Sequence, residues 1–588
     1  MDNFCQLIKT FPGSYIITAR LRKDKNKKPR LLSWRKKRSK SYVIQRKVSP
    51  AHEIVSDRIS AIIRDIIASI ANNVAFQEKR RIVWAVTAPL QITKKRCVMN
   101  FVSFFQSEDG MKKPRPYINH AVKFKKAYTR EERLLALNDA GWNVFLCPSK
   151  YVTGCDMLSD SGTTTMTNTQ WAALHEGDEA YGSNEGYFIL GEVIRELWGD
   201  EFFSPNRHPP NAFLFHQGRA GEDALFTELG ALGTRLIIPS NGHFDTTGAN
   251  IEANGIQALN LFSPELNRIP DARFKGNIDM VALRSLLETS AERVPLIYLT
   301  ITNNTGGGQP VSMQNIRETG ELAHRYGIPL FFDAGRFAEN AWFIKRDEKS
   351  YADKTVRDIV REMFQYADGC TVSFKKDGLG NMGGGVFIRR DGLFETRYPK
   401  IAAAMATRQI LTEGHPTYGG MTGRDIMAIT VGLKQTVEPA YLAHRINQVA
   451  YFGEAMARAS LPVLTPFGGH AVYLDMNRFF EGTSHQPADF GGIAFAALLL
   501  GLYGHRVSEL GNFAFGKYDT LTKRHIFPKN NFVRFAIPRL RYEREDLDAT
   551  VDAASALYTG RHAIPKIKVL YGLALPLRHF HSRFKLMF

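Results

Sequence analysis

Cysteine is scarce in this chain. Five cysteines occur among 588 residues, at positions 5, 97, 147, 155 and 370, and no two of them have the CxxC spacing. Small secreted folds depend on paired cysteines, and structural zinc sites need clustered cysteine or histidine ligands, so both classes are disfavoured. The cysteine content instead favours a reducing compartment, and we expect the protein to be cytoplasmic.

Long apolar runs are also missing. The longest, such as Ile493–Tyr503, fall well short of the ~20 residues that a helix needs to cross a bilayer. No membrane-spanning segment is therefore predicted. The chain is nonetheless 44% hydrophobic and long enough to bury several cores, which excludes a disordered protein and predicts more than one domain.

Acidic residues are nearly absent from the beginning of the chain. The first hundred residues carry 23 Lys and Arg against 6 Asp and Glu, so most of the formal charge of +19 lies there. A basic stretch such as Arg20–Lys47 is compatible with a nucleic-acid arm, a membrane-surface segment or an organelle transit peptide. Without interleaved aromatics, a solvated extension is favoured, and no nucleic-acid partner is expected outside it. Isoleucines at helical spacing predict an amphipathic helix between Ala51 and Phe76.

From about residue 159 onward, strand-length apolar runs alternate with amphipathic helices. Val294–Thr302 is one such run, and a loop, a helix from about Ser312 to Arg325 and a second run, Ile328–Phe332, follow it. This βαβ pattern predicts a mostly parallel sheet with helices on both faces. From about Glu438 longer helices and short strands are typical of a second, smaller domain. Ligands of such sheets bind beyond the carboxyl ends of the strands, so we expect the functional residues there.

Five predicted strand ends carry chemically useful residues. They are His216-Gln217-Gly218-Arg219, Phe244-Asp245, Asn303-Asn304, Asp333-Ala334-Gly335-Arg336 and Ser373-Phe374-Lys375-Lys376. Together they provide an amine, a carboxylate, an aromatic face and phosphate donors, which is the set that a pyridoxal 5'-phosphate (PLP) site requires. The strand ends therefore predict a PLP enzyme.

Lys376 is the predicted attachment point for the cofactor aldehyde. Attachment needs a neutral amine, and the adjacent Lys375 disfavours the charged form of Lys376. A lysine pair by itself is usually an exposed loop, but this pair follows the strand-like run Cys370–Phe374. Asp333, directly after an apolar run, is predicted to keep the pyridine nitrogen protonated. A helix N-cap is the alternative role for Asp333 alone.

The other strand ends supply the remaining predicted cofactor contacts. Gln217, Gly218 and Arg219 stand between a strand-like run and a helix, where backbone N–H groups bind phosphate. Phe244 is expected to lie flat on the pyridine ring. Arg336 is expected to reach the phenolic oxygen of the cofactor.

These motifs, with others along the chain, resemble those of the β-eliminating lyases, the family of tryptophanase and tyrosine phenol-lyase. The similarity extends from about Lys112 to Phe588 and omits the first hundred residues. The matching stretches are Asp160–Thr163, Gly177–Tyr181, His216–Arg219, Phe274–Asn277, Gly307–Ser312, Arg336–Asn340, Lys375–Asp377, Pro416–Gly420, Gly468–Ala471 and Arg534 with Ile537–Arg539. The resemblance implies an α/β fold of PLP fold type I (aspartate aminotransferase-like), with a mostly parallel seven-stranded sheet and a smaller α+β domain. The implied organisation is an extension at 1–110, a segment packing with the small domain at 111–158, a large PLP-binding domain at 159–437 and a small domain at 438–588.

The resemblance also implies a role for each matching residue. For the cofactor these are the Schiff base on Lys376, the ring-nitrogen acid Asp333, the stacking ring Phe244, phosphate contacts from Gln217, Gly218, Arg219 and Ser373, and contacts of Asn304 and Arg336 with the phenolic oxygen. For the substrate they are Arg534 on the carboxylate, with Ser161, Leu510 and Tyr418, the last from a neighbouring subunit, and Tyr181 as a proton donor to the leaving group. A monovalent cation, potassium or ammonium, would bind at Glu179, Gly162 and Asn381 between subunits of a homotetramer, a dimer of dimers.

Three positions bear on which aromatic ring is released. Asp245, Leu510 and His579 match the tryptophanase pattern, whereas a phenol-cleaving site resembles Thr, Arg and Phe there. Asp245 is suited to accept a hydrogen bond from an indole N–H, and an exposed histidine is the alternative for His579. The implied reaction is β-elimination of L-tryptophan to indole, pyruvate and ammonium. The alternatives are a tyrosine phenol-lyase or other amino-acid β-lyase, an aldolase or transaminase of the same fold, and a basic-arm binding protein with a vestigial enzyme body.

Overall fold

The computed structural model describes residues 115–118, 122–266 and 271–587, which belong to one unit, Arg115–Phe588. The basic stretch and the amphipathic helix expected before residue 110 lie outside the described residues. In the described part, no helix combines the length and the apolarity that crossing a membrane requires.

The strands are β1 (Ala212–Phe215), β2 (Ile237–Ser240), β3 (Gln257–Asn260), β4 (Ile297–Thr300), β5 (Leu330–Asp333), β6 (Gly369–Ser373), β7 (Gly384–Ile388), β8 (Ala471–Asp475), β9 (Ser508–Leu510), β10 (Lys517–Asp519), β11 (Arg524–Ile526), β12 (Phe532–Ala536), β13 (Lys566–Tyr571) and β14 (Arg583–Met587). The helices are α1 (Arg130–Asp139), α2 (Asn168–Glu176), α3 (Glu185–Trp198), α4 (Gly218–Gly230), α5 (Asp245–Ala253), α6 (Met280–Ser290), α7 (Met313–Arg325), α8 (Phe337–Asp347), α9 (Val356–Gln365), α10 (Leu393–Arg397), α11 (Ile401–Thr412), α12 (Gly423–Thr436), α13 (Pro439–Arg458), α14 (Met476–Phe479), α15 (Gly491–Tyr503) and α16 (Arg544–Thr559).

A seven-stranded sheet lies at the centre, in the order β1-β7-β6-β5-β4-β2-β3. Neighbouring pairs from β3 to β6 are parallel, and β7 runs antiparallel to both β1 and β6. The expected mostly parallel seven-stranded sheet is confirmed. Every residue of β1, β2, β4 and β5 is buried, because helices cover both faces. Because only β7 runs opposite to the other strands, the carboxyl ends of the other six strands meet at one edge of the sheet.

Local sequence signals define the helices that connect these strands. Helix α7 begins after Ser312, whose hydroxyl accepts a hydrogen bond from the Asn315 amide at 3.0 Å, and it ends before Gly327, which has φ +65°. A side-chain cap followed by a left-handed glycine is a common way to begin and end a helix. The helix expected from about Ser312 to Arg325 is thus observed within one residue.

A second hydrophobic core surrounds a three-stranded antiparallel sheet in the order β8-β12-β9. Helices α1, α15 and α16 contribute to this core with residues such as Leu137, Phe495 and Leu547. The hairpin β13–β14 holds a 3-10 turn, Arg578–Phe580, between its strands. This turn brings the end of the chain beside the strand ends of the central sheet, and residues of the turn and of those strand ends line one cavity.

Candidate active site

A cavity of about 300 Å³ opens at the carboxyl edge of the central sheet. Its size lies at the lower end of the range of ~300–1,000 Å³ typical of ligand pockets. The residues predicted from the sequence that line it are Ser161, Gln217, Gly218, Arg219, Phe244, Asp245, Asn304, Asp333, Arg336, Ser373, Lys376, Leu510, Arg534 and His579. Segments far apart in the sequence therefore meet in one cavity.

The amine and the carboxylate predicted for the cofactor face the same small space. Asp333 is the last residue of β5 and is buried. A Cβ atom placed on Gly335 would lie 2.8 Å from the Lys376 Nζ atom and 3.4 Å from the Asp333 Oδ1 atom. Asp333 does not cap a helix, since Arg336 is the N-cap residue of α8. The glycine keeps the space between the two groups open.

Burial is the largest influence on Lys376 and lowers the pKa of its ammonium group. The Asp333 carboxylate opposes this shift, and the Arg336 guanidinium reinforces it. The lowered pKa of Lys376 therefore comes mainly from the burial of its amine, and not from the adjacent Lys375 as the sequence suggested. A neutral amine is more accessible here than at the protein surface.

The beginning of α4 forms a cradle suited to a phosphate group. Gln217 is the N-cap residue, and Gly218 opens the helix against the end of β6. A Cβ atom on Gly218 would come within 3.0 Å of the Ser373 side chain and 3.2 Å of the Val372 carbonyl oxygen, so a larger residue would force the helix away. Free N–H groups of a helix start, the Ser373 hydroxyl and the exposed Arg219 together favour an anion. With Lys376, Asp333 and Phe244 in the same cavity, these residues fit PLP.

Arg534 is oriented toward the cavity by fixed oxygen atoms. Its Nη1 atom donates to the Asn304 Oδ1 atom at 3.3 Å, and its Nη2 atom donates to the Leu158 carbonyl at 2.9 Å. The Tyr473 hydroxyl donates to the same Asn304 oxygen at 2.6 Å. No group of residues 115–587 that the structure describes bonds the buried Nε atom of Arg534. The guanidinium of Arg534 is thus held in a fixed orientation at the cavity.

Arg336 belongs to a buried ionic network. Its Nε and Nη2 atoms donate to Asp160 at 3.0 and 2.8 Å, and Arg539 donates to Asp160 at 3.0 Å, to Glu339 at 2.7 Å and to Asp377 at 3.0 Å. Burial opposes ionisation of Asp160, but the neighbouring guanidinium groups lower its pKa well below the usual range. The network holds Arg336 and the turn that carries Lys376 in place.

Asp245 and His579 form a buried pair in the wall of the cavity. The His579 Nε2 atom lies 3.0 Å from the Asp245 Oδ2 atom, and His579 is only 2% exposed. The alternative of an exposed histidine is therefore wrong. Burial opposes ionisation of Asp245, but the hydrogen bond from His579 and its charge lower the pKa of this carboxyl overall. Leu510, also buried, supplies an apolar wall of the same cavity.

The single chain does not bring every predicted residue to the cavity. Tyr181 is 77% exposed, with its ring centre 6.0 Å from that of His415 and 5.9 Å from that of Tyr418, and neither tyrosine lines the cavity.

In the single chain, two of the three predicted cation ligands bond each other, and the third pairs with an arginine. The Asn381 Nδ2 atom donates to the Gly162 carbonyl at 3.1 Å, whereas the exposed Glu179 pairs with Arg424 at 2.9 Å. Among the described side chains, no cluster of histidine, cysteine and acidic residues is arranged to hold a metal ion.

Glu222 is a residue of the cavity that the sequence prediction missed. It is buried in α4 and accepts a hydrogen bond from the Thr247 hydroxyl at 2.8 Å. Burial and the nearby Asp333 carboxylate raise its pKa. Its signal was available, because Glu222 shares a helix face with Gly218, Leu225 and Leu229, where an acid is out of place.

Comparison with known proteins shows which family the chain resembles. Residues 156–553 match the family model of the beta-eliminating lyases. A tyrosine phenol-lyase from Lacrimispora saccharolytica is 40% identical over 477 residues, which cover 80% of this chain and 96% of that protein. A tryptophanase from Salinibacter ruber is 41% identical over 438 residues, which cover 74% of this chain and 88% of that protein. Among solved structures, Bna3p of Saccharomyces cerevisiae, proposed to be a kynurenine aminotransferase, shares the fold with a TM-score of 0.50 at 13% identity, covering 73% of this chain and 95% of that one.

Proposed function

The chain belongs to the β-eliminating lyase family and is a PLP-dependent lyase, and from this premise we propose that it cleaves L-tryptophan to indole, pyruvate and ammonium. Relatives with either substrate are equally similar, so overall identity does not decide between tryptophan and tyrosine. The observation that carries the choice is the buried Asp245–His579 pair beside Leu510.

PLP supplies an electron sink for the substrate carbon. In this proposal Lys376 holds its aldehyde, Asp333 its ring nitrogen, Phe244 its ring face, Asn304 and Arg336 its phenolic oxygen, and Gln217, Gly218, Arg219 and Ser373 its phosphate. Support comes from the cavity that these residues share. One part of that cavity is suited to an anion, and another part carries the buried carboxylate of Asp333.

Arg534 and Lys376 act on the amino-acid end of the substrate. The preorganised guanidinium of Arg534 binds the substrate carboxylate, and Ser161 lies at the same wall of the cavity. Once the amino group of the substrate has taken the place of Lys376 on the aldehyde, the freed amine of Lys376 would remove the proton from the α-carbon. Its lowered pKa favours this step, because a larger fraction of the amine is neutral than at an exposed lysine.

Asp245 and Leu510 select the ring that leaves. The ionised Asp245 carboxylate accepts a hydrogen bond from the indole N–H, which a phenol ring lacks at that position. An apolar Leu510 offers no partner to a phenol hydroxyl, so a bound tyrosine would leave its hydroxyl unsatisfied in a dry pocket. Tyr181 is proposed to protonate the departing ring.

The complete site is proposed to need a neighbouring subunit. Tyr418 would enter from that subunit, and Glu179, Gly162 and Asn381 would bind potassium or ammonium where subunits of a homotetramer, a dimer of dimers, meet. The exposed side chains of Tyr181 and Glu179, which in one chain do not line the cavity, support this assembly. A cytoplasmic location is supported by the described cysteines, which are all unpaired.

The test is a product assay with the purified protein, PLP and potassium. L-tryptophan and L-tyrosine are supplied separately, and indole, phenol and pyruvate are quantified. We expect indole and pyruvate in equal amounts, with kcat/KM at least about tenfold higher for tryptophan than for tyrosine. Preferential release of phenol would instead make the protein a tyrosine phenol-lyase. Release of neither ring would support another β-lyase or a vestigial enzyme body.

A further inference from the structure

The imidazole ring of His579 lies beside a second, small cavity. The Nε2 atom bonds Asp245, but the Nδ1 atom is buried and has no hydrogen-bond partner among the described residues. His579 lines a cavity of about 10 Å³, which it shares with Glu509. The other walls are mainly apolar and are formed by Trp142, Asn143, Val144, Phe145, Ile493, Ala496 and Phe584. A space of this size holds about one water molecule, provided that polar groups bind it.

Glu509 is a buried acid that also lines this cavity. It lies on β9 directly before Leu510, and because side chains alternate along a strand, the two residues face opposite sides. Its carboxylate oxygens accept the backbone N–H groups of Phe513 at 2.9 Å and Ala514 at 2.8 Å. Burial raises the pKa of Glu509, and these two amides and the nearby His579 oppose the shift. Anchoring a loop accounts for the two amides but not for the imidazole nitrogen at the same void.

The charges around His579 come from four elements. Asp245 at the start of α5 bonds the imidazole ring, and Glu509 on β9 lines the void beside it. Arg578, next to His579, directs its guanidinium to the backbone carbonyls of Phe513 at 2.6 Å and Asn512 at 3.3 Å. Arg534 on β12 acts on Asp245 from the cavity side. The imidazole ring of His579 therefore bonds one carboxylate directly and shares a void with a second acid.

We propose that Glu509 is a positioning residue for ring release, which acts through one water molecule and His579 on Asp245. The water accepts a hydrogen bond from the His579 Nδ1–H and donates one to the Glu509 carboxylate. A histidine fixed at both nitrogens holds the Asp245 carboxylate in the orientation that accepts the indole N–H. This inference rests on the proposed function, since it assigns Asp245 to the indole ring.

The decisive variant is Glu509→Gln, which removes the charge and preserves the shape of the side chain. It is assayed with L-tryptophan and with S-methyl-L-cysteine, from which methanethiol leaves without protonation of a ring. We expect kcat/KM for tryptophan to fall by about tenfold, which corresponds to about 1.4 kcal/mol of lost interaction in the transition state, and kcat/KM for S-methyl-L-cysteine to stay within about twofold. Equal losses with both substrates would overturn the proposal, because they would indicate only a displaced loop.

A double-mutant cycle shows whether Glu509 acts through His579. In the His579→Gln background, Glu509→Gln should change kcat/KM for tryptophan by less than about twofold, because the connecting ring is gone. A tenfold loss that persists in this background would contradict the proposal. The visible absorbance of bound PLP in each variant shows that it is folded and carries its cofactor.

A measurement that does not depend on turnover separates this inference from the proposed function. Protein labelled with [13Cε1]-histidine is titrated by NMR, and the His579 signal is assigned from its loss in His579→Gln. In Glu509→Gln, its titration midpoint should move to lower pH, because an anion that favours the protonated ring is removed. An unmoved midpoint would refute the link between Glu509 and His579. A wild-type protein that releases no indole would refute the proposed function and the ring-release role with it, while the NMR titration still decides the link.

Discussion

Replacing Asp160 by asparagine should destabilise the protein by far more than the loss of an ordinary surface charge. Asp160 is 1% exposed and accepts three hydrogen bonds from two guanidinium groups, those of Arg336 and Arg539. Removing one partner of a buried ion pair typically costs about 3–5 kcal/mol, since the remaining charges stay buried without compensation. The unfolding entropy of about 2.1 cal/mol/K per residue implies a loss of about 1 °C per kcal/mol for a unit of the size of Arg115–Phe588.

The expected result for Asp160→Asn is therefore a melting temperature lowered by about 3–5 °C, measured by circular dichroism with saturating PLP. Glu192→Gln is the matched control, because Glu192 pairs with Arg195 at 3.0 Å but its side chain is 67% exposed. An exposed pair contributes about 0–1 kcal/mol, so this variant should melt within about 1 °C of the wild type. If the two variants lost the same amount, the reasoning about the buried network would be refuted.

Three further predictions concern the cofactor, the substrate and the pH dependence of stability. Lys376→Ala should abolish both the visible absorbance of bound PLP and pyruvate formation, whereas Lys375→Ala should keep the absorbance; a coloured Lys376→Ala protein would contradict the assignment. Asp245→Thr combined with Leu510→Arg should raise the ratio of phenol to indole released by about tenfold or more, and an unchanged ratio would show that these positions do not select the ring. Burial lowers the pKa of His243 to about 4 in the folded protein, below its value of about 6.5 in the unfolded chain. As the pH falls from about 6.5 toward 4, His243 is therefore protonated in the unfolded chain but still neutral in the folded protein, and the folded state loses stability. The melting temperature of His243→Asn should accordingly decrease less than that of the wild type between pH 7 and pH 5, and parallel decreases would refute this.

Much of the fold followed from patterns within short segments of the sequence. The apolar runs that became β1, β4 and β5 are buried on both faces, so a continuous run and the helices that follow it were sufficient signals. Asp333 and Lys376 were predictable as partners, because the carboxyl ends of parallel strands meet at one edge of the sheet. The family motifs then supplied the residues whose local patterns were weak.

Burial and the pairing of distant charges were decided only by the tertiary structure. Asp245 and His579 are 334 positions apart, and Asp160 and Arg539 are 379 positions apart, yet each pair is in hydrogen-bond contact. Local spacing cannot report such contacts, which explains why His579 could be taken for an exposed residue and why the role of Asp160 was not foreseen. The sequence by itself determined which chemical groups the site contains. The packing of two sheets and a terminal hairpin decided which of those groups are buried and which are hydrogen-bonded to one another, since desolvation and Coulomb interactions depend on distances in space.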